Sequence, residues 1–233
     1  MTTRNAALEG IRVIDMSRVL AGPVGGQILG DLGADVIKVE RPGVGDDGRV
    51  YGLAEVQGKD GMSLRQGGFF AAANRNKRSI TLNHSKPEGQ EILRKLVQTA
   101  DVLIENYKVG DLKRFGLDYE SLKAINPGLI YCSVTGFGQT GPMAARPGYD
   151  GLFQATGGMM AVTGIPDGQP GAGPLKAGPS LVDFITGHNT AISILAALQH
   201  RNHSGEGQHI DIALLDSSVA MLSHIMQDYL LNG

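Results

Sequence analysis

Short apolar runs punctuate the chain, and stretches with helical spacing fall between them. Gly10–Asp15, Ala34–Glu40, Ser79–Leu82, Asp101–Ile104, Leu129–Val134 and His209–Ala213 read as strands. Ala21–Gly33 reads as a helix, with Pro23 in its first turn and Gly33 at its end. Pro87–Gln98 is amphipathic and Pro87 suits its start; Leu112–Phe115 and Tyr119–Ile125 are shorter helical pieces. Gly151–Thr156 and a closing stretch, Asp216–Leu231, complete the helical pattern. The most sustained periodicity follows Asp183: Phe184, Ile185, Ala191, Ile192, Leu195 and Leu198 recur on one face. The Gly- and Pro-rich segment ahead of it cannot be helix. Asp183 therefore falls in the first turn of a helix or just before it, where the dipole and the free amides favour a carboxylate.

Alternating strands and helices predict an α/β fold, a doubly wound, Rossmann-like and mostly parallel sheet with helices on both faces. The turn after the first strand carries Gly22, Gly25 and Gly26, which do not make the GxGxxG spacing. A nicotinamide or flavin dinucleotide is thereby disfavoured, even with Glu40 ending the second strand. Residues 41–68 read as a long Gly- and charge-rich loop, of a length that is usually functional. Asn74–Arg78 holds side chains able to meet phosphate, or else forms a solvated basic turn. Glu105 to Lys108 follow the fourth strand, at the carboxyl end where open parallel sheets bind ligands.

Composition narrows the functional classes. The net charge of −2 and the absence of a basic run give no reason to expect nucleic acid. The single cysteine, Cys132, lies in an apolar run and excludes an internal disulfide, so the chain reads as cytoplasmic. No apolar segment of membrane-spanning length and no leader is expected, hence no membrane. The six histidines lack ligand spacing, and no metal is expected.

Taken together, several motifs resemble the family III CoA-transferases and the related α-methylacyl-CoA racemases. They are Leu8–Asp15, Ala21–Pro23, Gly30–Glu40, Asn76–Ser79, Ala100–Asn106, Thr135–Gly138, Gly148–Asp150 and Gly205–Gln208. Each is weak alone, and their order and spacing carry the resemblance. It implies a CoA-transferase in which Asp183 is the nucleophile, with Tyr149 and Asp150 beside it. It implies acyl-CoA and carboxylic acid substrates, with coenzyme A contacts at Val19, Leu20, Ala21, Arg41, Leu82, Asn83, Asn106, Tyr107, Lys108 and Arg114. Leu20 stands where oxalate transferases carry glutamine, which removes a polar contact near the acyl site. Donors to the reacting oxygens are expected from the helix amides near Asp183 and from the Gly-rich turns, and Gly187 is a candidate for close approach of the acyl group or for helix packing. The racemase branch has His where this chain has Tyr149; a phenol is a poor base at neutral pH, so transfer is favoured over racemisation. A non-catalytic CoA-binding role is the remaining alternative. The resemblance also implies an interlocked homodimer and a longer chain with a smaller second domain, so that residues 1–233 correspond to the large CoA-binding α/β domain.

Overall fold

In a computed structural model, residues 6–52 and 55–233 are described. Six strands form one parallel sheet: β1 (Arg12–Asp15), β2 (Asp35–Glu40), β5 (Lys77–Thr81), β6 (Val102–Glu105), β7 (Ile130–Thr135) and β8 (His209–Ala213), in the order β5-β2-β1-β6-β7-β8. The chain winds outward from β1 to β5, returns to the other side of β1 as β6, and winds outward again to β8. The winding direction thus reverses between β1 and β6, and a crevice opens at their carboxyl ends.

Alternate strand residues feed two cores. Val13, Val102, Ile104, Ile130 and Cys132 pack beneath α1 (Ala21–Asp31), α5 (Asp150–Thr156), α6 (Met159–Thr163), α7 (Leu181–Ser204) and α8 (Leu214–Met221). Ile14, Ile37, Leu103 and Tyr131 pack beneath α3 (Pro87–Val97) and the short α4 (Tyr119–Lys123). Burying strands on both faces is what makes them read as continuous apolar runs. Cys132 is a fully buried thiol in the first of these cores.

The helix α1 lies against α7 with little between them. A methyl group on Gly25 would stand 2.6 Å from Thr190 Cγ2, and one on Gly187 would stand 2.6 Å from Val24 Cγ1 and 2.9 Å from the Ala21 carbonyl. Gly187 therefore serves helix packing, not approach of an acyl group. At 24 residues, α7 is long and apolar enough to cross a membrane, contrary to the expectation that no such segment exists. Here it is a core helix that ends at Gly205, whose φ of 76° allows the left-handed stop.

Three further expectations are corrected. The 41–68 loop holds a 3-10 turn (Asp47–Val50) and an antiparallel hairpin of β3 (Glu55–Gln57) and β4 (Ser63–Gly67), and α2 (Gly68–Asn74) follows it. Asn74–Arg78 is a basic turn with exposed arginines that leads into β5, and its cations are paired: Arg75 with Asp31, Arg78 with Asp35 at 2.7 Å, and Lys77 with buried Asp15 at 2.7 Å. Protein carboxylates thus take the cations that were candidates for phosphate. The closing helix is two helices, α8 and α9 (Ser223–Asn232), broken at Leu222, whose ψ of 14° leaves the helical range.

Candidate active site

A cavity of about 290 Å³ opens at the β1/β6 switch point. Val19, Leu20 and Ala21 line it from the turn after β1, and Asn106, Tyr107 and Lys108 from the turn after β6. Tyr149 and Asp183 line it as well. The cavity therefore gathers eight expected site residues from four separate stretches of chain.

Asp183 is the third residue of α7, in its first turn. Burial first, and then the charge of Asp150, push its carboxyl up to about 7. No cation is among the causes, although Arg18, Lys108 and Arg146 line the same cavity. A carboxylate with a strongly perturbed affinity for protons, facing a cleft, is the usual mark of a reacting group.

Asp150 does not line the cavity and lies behind it, buried. It is the first residue of α5, yet it caps α7: its Oδ1 accepts from Val182 N at 2.8 Å and Asp183 N at 3.2 Å. Its Oδ2 accepts from Gln154 Nε2 at 2.6 Å. The Leu181 amide donates to the Pro179 carbonyl and that of Phe184 to Ser180. The first-turn amides of α7 are thus committed, which corrects their expected role as donors to the reacting oxygens. Tyr149 is 70% exposed.

The other expected contacts divide. Arg41 and Leu82 line a smaller adjoining cavity that shares Arg18 and Tyr107 with the main one. Asp47 pairs with both Arg41 and Arg18, the latter at 3.1 Å, and the Arg18 guanidinium lies 5.2 Å from the Tyr107 ring centroid. Asn83 and Arg114 line neither cavity. Asn83 spends its side-chain oxygen on Ser85, and Arg114 lies over Phe115 and pairs with Asp111 at 3.7 Å. Sequence reasoning missed Arg18, Asp47 and Arg146; the Asp47–Val50 turn, hidden inside a presumed loop, was the available signal for Asp47 alone. Among the described residues, no group of three or more His, Cys, Asp or Glu side chains is placed to hold a metal.

This geometry can be set beside known proteins. The profile described as CoA-transferase family III matches residues 8–233. The chain belongs to that family. Succinate–glutarate CoA-transferase of Agrobacterium fabrum is 52% identical over 233 residues, all of this chain and 57% of that protein. Succinyl-CoA:glutarate CoA-transferase of Homo sapiens is 44% identical over 224 residues, covering 96% of this chain and 49% of its own. A CAIB/BAIF family protein from Brucella suis superimposes with a TM-score of 0.92 at 50% identity, over 99% of this chain and 59% of its own. The chain thus spans about half the length of the family III relatives it matches.

Proposed function

We propose that residues 1–233 form the large, CoA-binding part of a transferase that moves CoA between an acyl-CoA and a free carboxylic acid, with Asp183 as nucleophile. The observation that carries this reading is a carboxylate with its proton affinity raised to about 7, on the wall of the switch-point cavity, in a chain of CoA-transferase family III. One Asp183 oxygen attacks the thioester carbonyl and expels CoA thiolate, leaving an acyl-aspartyl anhydride. The thiolate then attacks the aspartyl carbonyl, forming an aspartyl-CoA thioester and releasing the first acid. The acceptor carboxylate attacks that thioester, expels the thiolate again, and the thiolate takes the new acyl group. Asp183 is regenerated. Splitting the exchange into acyl transfers between groups of similar leaving ability avoids one difficult step.

In this reading the α1 start and the turn after β6, which line the same cavity as Asp183, meet the CoA chain. Asp150 holds the first turn of α7 and so fixes where Asp183 points. The relatives' names supply dicarboxylic acids, succinate and glutarate, as the first substrates to test. Action in the cytoplasm, as a homodimer, is part of the proposal. Racemisation is disfavoured because Tyr149 offers a phenol where a proton-exchanging imidazole would be needed. Incubation of succinyl-CoA with labelled glutarate, followed by chromatography, tests the reading. Transfer of label into the CoA ester supports it; exchange of the α-hydrogen of a 2-methylacyl-CoA with heavy water, without transfer, reverses it.

A further inference from the structure

Val19 has a φ of 70°. A β-branched residue in the left-handed region is strained, and such strain persists only when the surroundings over-determine it. Here they do. The Ser17 amide donates to Asp15 Oδ1 at 3.0 Å, and the Ser17 carbonyl accepts from Lys38 Nζ at 2.9 Å. The Asn106 side chain grips both sides of Arg18: its Oδ1 accepts from Arg18 N at 2.9 Å and its Nδ2 donates to Arg18 O at 2.8 Å. The Val19 amide donates to Asp46 Oδ1 at 3.0 Å. Every main-chain polar group from Ser17 N to Val19 N is therefore bound by a side chain.

The anchors are themselves fixed. Lys38 and Asp46 pair at 2.8 Å with both side chains 1% exposed, and Asp46 Oδ1 also accepts from Gly48 N at 2.7 Å. A buried ion pair adds little net stability over an apolar pair of the same shape, so its presence under this loop calls for another reason. Val19 and its two successors line the switch-point cavity.

We propose that Lys38 and Asp46 are positioning residues that hold Val19 in its left-handed conformation, so that the cavity wall is set before CoA arrives. The inference rests on the reading of this cavity as the CoA site. Without the anchors, Val19 relaxes to an ordinary conformation and only a minor fraction of molecules keeps the competent wall. The apparent dissociation constant rises by the inverse of that fraction. For strain of the usual size at such a residue, the loss is roughly 5- to 150-fold.

The test uses the double variant Lys38→Met/Asp46→Ala, which leaves no orphaned buried charge, and the triple variant with Val19→Gly added. Glycine enters the left-handed region freely. CoA affinity is measured by calorimetry and melting temperature by scanning. The double variant is expected to bind CoA at least fivefold more weakly, and Val19→Gly to recover most of the affinity without recovering the melting temperature. Unchanged affinity in the double variant, or no recovery in the triple variant, overturns the proposal. A parent chain that binds no CoA instead overturns the reading of the cavity. In that case the Val19 backbone coupling in nuclear magnetic resonance spectra of parent and double variant still decides the clamp: unchanged coupling refutes it, and a shift out of the left-handed range upholds it.

Discussion

Replacing Asp183 with Asn should stabilise the fold while removing the carboxylate proposed as nucleophile. The carboxyl rises from 3.8 to about 7 on folding because burial, and then Asp150, disfavour its charge. Such a group contributes no penalty below its unfolded value, where it is protonated in both states. Stability is lost as pH rises through the folded value, and the penalty is complete above it. A shift of about three units corresponds to an upper bound of ~4 kcal/mol. The side chain is only partly buried, so solvent screening lowers this bound, and the amide costs about as much to desolvate as the protonated carboxyl it replaces. A net gain of ~1–3 kcal/mol for Asp183→Asn at pH 8 is the result. Urea unfolding of both proteins at pH 4, 6 and 8 measures it. The difference should be near zero at pH 4 and grow to a plateau above pH 7. A difference that does not change with pH, or an Asn variant less stable at pH 8, would refute the reasoning that Asp183 is held at a cost for function.

Asp150→Asn removes the charge that raises Asp183 but keeps one acceptor for the α7 amides; the acidic limb of kcat/KM should move to lower pH, with ~1–3 kcal/mol lost in stability because the new amide nitrogen faces Gln154 Nε2. An unmoved limb in the pH–rate profile would show that Asp150 acts on structure alone. Gly187→Ala gains ~1 kcal/mol of helix propensity but drives a methyl group into Val24 and the Ala21 carbonyl. A net loss of ~1–2 kcal/mol is expected by thermal unfolding, together with weaker CoA binding because the start of α1 is displaced; a more stable variant would contradict the packing argument.

The strands were legible because burial on both faces leaves an apolar run that few other structures need. Asp183 was legible for a related reason: a Gly- and Pro-rich approach followed by strict helical spacing locates a helix start within a residue or two. The hairpin at 55–67 was not, because its strands are short and its composition is that of a loop. Lys38 drew no attention and Lys77 read as part of a basic turn, because only the fold brings Asp46 and Asp15 within 2.8 and 2.7 Å of their ammonium groups. Asp150 shows the same limit. It opens α5, and nothing near it in the chain tells that the first turn of α7 returns 32 residues later to donate to it. Partners that distant in sequence leave no local pattern to read.

The central claim is that Asp183 carries CoA covalently. Intact-mass analysis after incubation with succinyl-CoA, with peptide mapping of any adduct and Asp183→Ala run alongside, tests it most directly. The account predicts a gain of one CoA less one water, mapping to the peptide that contains Asp183, released by hydroxylamine and absent from the alanine variant. An adduct on another residue, one that persists in the alanine variant, or CoA transfer that continues without Asp183 would contradict it.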